Sequence, residues 1–296
     1  MTATNTYLSG VTFGGGLFVA VGDYGTILTS PDGAHWIQAD SDTGYDLYGA
    51  TFGRGLFVAA GDDGTIVTSP DGAQWTEQTS GLAEWFDSVT FMSGLFVATG
   101  GEGAICTSTD GTNWVRQNSG VTGELWSVIS GDGQFAAVDD QGDIITSSDG
   151  TNWLLRESGT GSALFGVSYG NGHFVAVGAT GTIQLSTDGV NWISDNSGVS
   201  DDLYGASYFG DGSFVIVGDN GAILFNQPPR LNLLGAGNTL TLELNGLNGS
   251  TAIIEATPRL LPPNWEPVAT NVISHGLVIF SARSGAGSQY YRARVQ

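Results

Sequence analysis

Residues 47–81 read LYGATFGRGLFVAAGDDGTIVTSPDGAQWTEQTSG. Four short stretches, LYGATF, LFVAAG, TIVTS and QWTEQ, are separated by FGRG, GDDG and PDG. The separators are turn chemistry: glycine takes positive φ without strain, and aspartate bonds nearby backbone N–H groups. The second stretch sets the environment. It recurs as LFVAVG, LFVATG, HFVAVG and SFVIVG, apolar throughout rather than alternating apolar with polar. A strand of that kind is covered on both faces.

The unit repeats. Trp36, Trp75, Trp114, Trp153 and Trp192 lie 39 residues apart. A four-stranded sheet covered on both faces and repeated at that interval is a β-propeller blade. The first strand of the unit, strand A, is found six times: LSGVTF (8–13), LYGATF (47–52), WFDSVTF (85–91), LWSVIS (125–130), LFGVSY (164–169) and LYGASY (203–208). The tryptophan-led fourth strand is found five times, because the sixth unit runs into QPPR at 227–230. The expected fold is therefore all-β, with a six-bladed propeller over residues 1–227. The segment Thr2–Tyr7 is expected to supply the missing strand of the last blade and close the ring, since an open sheet edge needs cover. Residues 228–230 read as a stiff linker around Pro228 and Pro229. Residues 231–296 leave the repeat and alternate, as in TLTLEL, which predicts a small β-sandwich.

The turn before each tryptophan has the form S-x-D-G-x-x-W. In SPDGAHW, Asp32 is a short acceptor for backbone N–H groups, Gly33 supplies the left-handed conformation, Ser30 adds a hydroxyl bond, and Trp36 buries a large ring. The aspartate and tryptophan recur as Asp71 and Trp75, Asp110 and Trp114, Asp149 and Trp153, and Asp188 and Trp192. A catalytic group is needed once per site, so five equally spaced copies point to a structural role. The motif resembles the Asp box, or BNR repeat, of sialidase-type propellers. With FVAVGDxGTIxTSxDGxxW around it, the unit is similar to secreted bacterial propellers related to photosystem II assembly factors. That resemblance covers roughly residues 1–227 and implies that the box is a folding element away from any ligand. The tail, with IIEATPRL, NWEPVATN and the terminal YYRARV, resembles a C-terminal module of secreted proteins from Verrucomicrobia and related bacteria. It implies an extracellular, cell-surface or periplasmic location in a bacterium, although MTATNTY carries no signal peptide.

Charge narrows the functions. The formal net charge is −21, charged residues are 12% of the chain, and all eight basic residues are arginine. With no lysine there is no Schiff base and no lysine general base. A phosphate backbone would find no basic footprint, so nucleic acid is excluded as the expected partner. No apolar run is long enough to insert into a membrane. The single cysteine, Cys106, stands where sister strands carry Leu28 and Val67 and reads as a small buried hydrophobe. His35, His173 and His275 are scattered, which argues against a metal cluster or a Ser-His-Asp triad. No cofactor is expected; the acidic turns leave open a calcium site built from several loops.

The ligand site is expected on the propeller face opposite the Asp boxes. There the D–A and B–C connections bring together acids that precede strand A (Asp46, Glu84, Glu124 and Asp202) and aromatic rings on strand A (Tyr48, Phe86, Trp126 and Tyr204). Carboxylates beside rings suit a sugar or a basic protein segment. The leading reading is a non-catalytic recognition or scaffold module for carbohydrate or a protein partner. The alternatives are a secreted glycoside hydrolase, although Arg54, Arg116 and Arg156 do not form a sialidase arginine cluster, and a structural subunit of an extracellular assembly.

Overall fold

The computed structural model describes residues 6–209, 213–226, 230–234, 239–245, 251–257, 266–272, 277–283 and 290–295. It is all-β, and its first 23 strands form a six-bladed propeller. Blade 1 comprises β1 (Leu8–Gly14), β2 (Leu17–Gly22), β3 (Thr26–Ser30) and β4 (Ile37–Ala39). Blade 2 comprises β5 (Leu47–Gly53), β6 (Leu56–Gly61), β7 (Thr65–Ser69) and β8 (Thr76–Thr79). Blade 3 comprises β9 (Phe86–Met92), β10 (Leu95–Gly100), β11 (Ala104–Ser108) and β12 (Val115–Gln117). Blade 4 comprises β13 (Leu125–Gly131), β14 (Gln134–Asp139), β15 (Ile144–Ser147) and β16 (Leu154–Arg156). Blade 5 comprises β17 (Leu164–Gly170), β18 (His173–Gly178), β19 (Thr182–Ser186) and β20 (Ile193–Asn196). Blade 6 has three strands among the described residues: β21 (Leu203–Tyr208), β22 (Phe214–Gly218) and β23 (Ile223–Asn226). Every blade is an antiparallel meander.

The apolar second strand works on both faces, as its composition predicts. In β6, Phe57 and Ala59 turn back into a cluster with Val19, Val21 and Ile27 of blade 1. Val58 and Ala60 turn forward into a cluster with Phe86, Phe96 and Ala98 of blade 3. The same alternation builds the clusters between blades 3 and 4, 4 and 5, and 5 and 6. The core is thus five inter-blade layers rather than one central mass. Cys106 lies in the layer between blades 2 and 3, and burial pushes its thiol up to about 11.

The turn between third and fourth strands has one geometry in blades 1 to 5. Ser30 Oγ accepts from Gly33 N at 2.9 Å, and Asp32 Oδ1 accepts from Ala34 N and His35 N at 2.9 and 2.8 Å. Trp36 Nε1 donates back to Gly33 O at 3.0 Å, and the other four tryptophans do the same at 2.9–3.1 Å. Gly33 stands at φ 72°, which a side chain would strain.

One sequence expectation changes. Strand A of blade 3 begins at Phe86, not Trp85, which restores the 39-residue interval from Leu47 and Leu125. The proposed closing strand falls mostly on residues 1–5, outside the described residues. Its described end bonds to blade 1: Thr6 Oγ1 lies 3.2 Å from Thr26 Oγ1, and Tyr7 O accepts from Asp23 N at 3.0 Å.

Each blade packs on the next through its first strand, from β1 on β5 to β17 on β21. Among the described residues, no comparable contact joins blade 6 to blade 1.

Beyond the blades, β24 (Arg230–Leu234), β25 (Thr239–Asn245), β26 (Thr251–Thr257), β27 (Glu266–Val272), β28 (Leu277–Arg283) and β29 (Tyr290–Val295) pair antiparallel. They form two three-stranded sheets, β24-β25-β28 and β27-β26-β29. No helix among the described residues is long and apolar enough to cross a membrane.

Candidate functional site

The site is built by one irregularity repeated six times. In every blade the ladder between the first and second strands slips at the second residue of the first strand. That residue is Ser9, Tyr48, Asp87, Trp126, Phe165 or Tyr204. A β-bulge frees its extra residue from the ladder and re-aims its side chain. The six bulged residues all line the channel space. Above it opens a cavity of about 520 Å³, bounded by Tyr48, Asp62, Trp85, Asp87, Glu124 and Trp126, with Ser9 at its edge.

The cavity has an acidic side and an aromatic side. On the acidic side, Tyr48 OH donates to Asp62 Oδ1 at 3.0 Å, and Trp85 Nε1 donates to Glu124 Oε1 at 2.8 Å. Burial, and then the Asp62 carboxylate, raise the Tyr48 phenol, so it stays protonated and serves as a donor. Asp87 lies between these pairs. Its Oδ2 is buried and has no hydrogen-bond partner. Burial first, and the neighbouring Glu124 charge second, push the Asp87 carboxyl up to about 7. On the aromatic side, Trp126 meets Phe165 edge-on at 6.1 Å, and Phe165 meets Tyr204 at 5.4 Å. Trp126 and Tyr204 keep large exposed faces.

Blade 3 departs from its sisters to make this cavity. Trp85 occupies the position held by Asp46, Glu124 and Asp202 elsewhere, with its carbonyl accepting the same turn N–H, from Gly101 at 3.1 Å. Gly101 stands where blades 1, 2 and 6 carry Asp23, Asp62 and Asp219. A Cβ on Gly101 would come within 2.7 Å of the Trp85 ring, so glycine makes room for the indole.

The sequence-predicted residues separate into three groups. Tyr48, Glu124 and Trp126 converge on the cavity, and Tyr204 lines the channel beside it. Asp46 and Asp202 are occupied as inter-blade ties: Asp46 Oδ1 accepts from Tyr24 N at 2.6 Å, and Asp202 Oδ1 from Thr180 N at 2.8 Å. Glu84 is turned away into an ion pair with Arg116 at 2.7 Å, which lowers its carboxyl. Phe86, expected at the mouth, is wholly buried between blades 2 and 3, because it occupies the core position of Leu47 and Leu125. The one-residue offset in blade 3 also hid Trp85 and Asp87. The strict 39-residue interval carries the signal, since it sets Asp87 under Tyr48 and Trp126. Among the described residues, no group of three or more His, Cys, Asp or Glu side chains is arranged to hold a metal ion.

Solved structures share this architecture. The chain is similar to YCF48 bound to D1 peptide, at 21% identity and a TM-score of 0.61, covering 77% of this chain and 81% of that one. It is similar to the WD40 β-propeller domain of Doa1, at 14% identity and a TM-score of 0.60, covering 81% and 90%. It also resembles the computationally designed Ika8 protein, at 14% identity and a TM-score of 0.61, covering 93% and 90%. The likeness is one of fold. No family model matches the chain, and no curated protein matches it by sequence.

Proposed function

We propose that the chain is a non-catalytic recognition propeller whose channel mouth holds a protein segment presenting a cationic side chain. The carrying observation is the pairing of the partnerless, buried Asp87 oxygen and Glu124 with the open Trp85 and Trp126 faces in one cavity. An ammonium or guanidinium group would satisfy the carboxylates and stack on the indoles. The chain's net charge of −21 steers basic partners toward it. YCF48, of similar fold, was solved bound to a D1 peptide, which supports reading the fold as able to hold a peptide.

The test is binding to a peptide array graded in charge, with a glycan array run in parallel. Basic peptides are expected to bind, and Trp126→Ala with Glu124→Gln to abolish binding while the circular dichroism spectrum is unchanged. Undiminished affinity in the double variant would overturn the assignment. Binding to glycans alone would replace the protein partner with carbohydrate.

A second reading rests on the same pair. Asp87, its carboxyl pushed up to about 7, shares the cavity with Glu124, and glycoside hydrolysis uses two such neighbouring carboxyls. Turnover of chromogenic glycosides that is lost in Asp87→Asn would favour it.

We extend the proposal to context. The S-x-D-G-x-x-W turns are taken as Asp boxes with a structural role. Residues 1–227 are taken as the propeller, 228–230 as the linker and 231–296 as a small sandwich formed by the two three-stranded sheets. Export to a bacterial surface or periplasm is the proposed location.

A further inference from the structure

At the seam between blades 6 and 1, the described residues expose two surfaces that the rest of the fold buries. On the rear of blade 1, Val11 is 65% exposed, whereas its counterparts Val89, Val128 and Val167 are 5–8% exposed. Leu8 and Phe13 are exposed beside it. On the front of blade 6, Ile223 is 70% exposed, whereas Ile27, Ile66, Ile105 and Ile144 are 0% exposed. Val217 is exposed beside it. The backbone agrees among the described residues. A Cβ on Gly10 would strike Tyr48 O of the next blade at 2.6 Å, and one on Gly166 would strike Tyr204 O at 2.6 Å. Among the described residues, a Cβ on Gly205 would meet only Val217 of its own blade within 4 Å.

The residue at or just after the end of strand A sets this seam apart from the five described interfaces. Gly14, Gly53, Gly131 and Gly170 sit against an aromatic ring of the next blade so tightly that a Cβ would come within 2.1–2.2 Å of Phe52, Phe91, Tyr169 and Tyr208. Blade 3 carries Met92 at this position, and blade 4 answers with the small Ser130. Blade 6 carries Phe209, and the ring it would meet in blade 1 is Phe13. Two large rings cannot share that space at the fixed angle a closed ring demands. Both are exposed.

We propose that the seam is an interface between copies of this chain, with the front of blade 6 docking on the rear of blade 1 of a second copy. The two faces carry the same apolar positions that pack together at the five interfaces already described, so the complementarity is built into the repeat. A separate copy is free of the ring's angular constraint and tilts until Phe209 and Phe13 stack rather than collide. The contact is head to tail, so each copy retains one unused face and the assembly grows rather than closing as a symmetric pair.

The experiment is sedimentation equilibrium of the full chain over a concentration series. Mass is expected to rise beyond the 30.6 kDa monomer with concentration. Val11→Asp and Ile223→Asp should each weaken association at least about tenfold, because each buries a charge in the contact. Mixing the two variants should restore a dimer and stop there, since each supplies the intact face that the other lacks. Both sites are exposed, and unchanged melting curves would verify folding. As a second readout, amide exchange in β1 and β23 should slow as wild-type concentration rises. A wild type that stays monomeric throughout, or variants that associate as well as wild type, would overturn the proposal. Failure of the mixture to form a dimer would also overturn it, because a head-to-tail contact must complement.

Discussion

Asp87→Asn removes the one carboxyl in the cavity whose ionisation the fold opposes. Moving a carboxyl from the ordinary 3.8 to about 7 corresponds to roughly 4 kcal/mol against the ionised form, at about 1.4 kcal/mol per tenfold. The effective dielectric of a protein interior softens this cost, and a working value is about 1–2 kcal/mol. The folded-state value is raised above the unfolded one, so the folded protein holds the proton more tightly. Wild-type stability therefore declines as pH rises from the unfolded value toward about 7 and is level above it. Asparagine keeps the shape and never ionises. The melting temperature of the variant should match wild type near about pH 4 and exceed it by roughly 2–8 °C near about pH 8, at about 2–4 °C per kcal/mol for a domain of this size. Differential scanning calorimetry of both proteins across that range reads the effect. A difference that does not change with pH, or a less stable variant at high pH, would refute burial of the Asp87 carboxyl as the source of its raised value.

Other expectations follow from the same geometry. Ser147→Ala should cost about 1–3 kcal/mol in chemical denaturation, because the buried Gly150 N–H loses its acceptor at 2.9 Å. The carboxyls of Asp32, Asp71, Asp110, Asp149 and Asp188 are held below the ordinary range, in most cases chiefly by backbone N–H donors. Their stabilisation is present above about pH 4 and lost below it, so acid titration monitored by tryptophan fluorescence should show cooperative loss of the five turns together. Phe135→Ala should cost about 3–5 kcal/mol by urea unfolding, since the ring fills the layer between blades 3 and 4. A cationic peptide favours ionised Asp87, so its affinity should rise about fivefold from about pH 6 to about pH 8 in calorimetry, and Asp87→Asn should abolish that rise.

Most of the fold is legible because a propeller writes its blade once per period. Unbroken apolarity in LFVAVG announces burial on both faces, the tryptophan interval sets the period, and the six copies of strand A count the blades. The cavity is less legible for two reasons. A bulge leaves the apolar pattern of a strand intact, so nothing in LYGATF announces that Tyr48 leaves the ladder. In blade 3, the adjacent Trp85 and Phe86 are both aromatic, and residue type alone gives the ring at the mouth to the wrong one. The acids before strand A look alike in sequence, yet Asp46 and Asp202 are consumed by turn N–H groups while Glu124 is left facing the cavity. The seam is hidden for the opposite reason, because its faces carry the same residues as buried faces. Only Phe209, standing in a column of mostly glycine, distinguishes it.

The location of the ligand face is tested most directly by the indole N–H resonances of the chain's tryptophans during titration with a short arginine-containing peptide. Trp85 and Trp126 line the cavity, whereas Trp36, Trp75, Trp114, Trp153 and Trp192 are tied into the turns between third and fourth strands. The predicted result is a saturable shift of the Trp85 and Trp126 signals with the five turn indoles unmoved. Movement of the turn indoles with Trp85 and Trp126 unchanged would place the ligand on the other face and contradict the assignment.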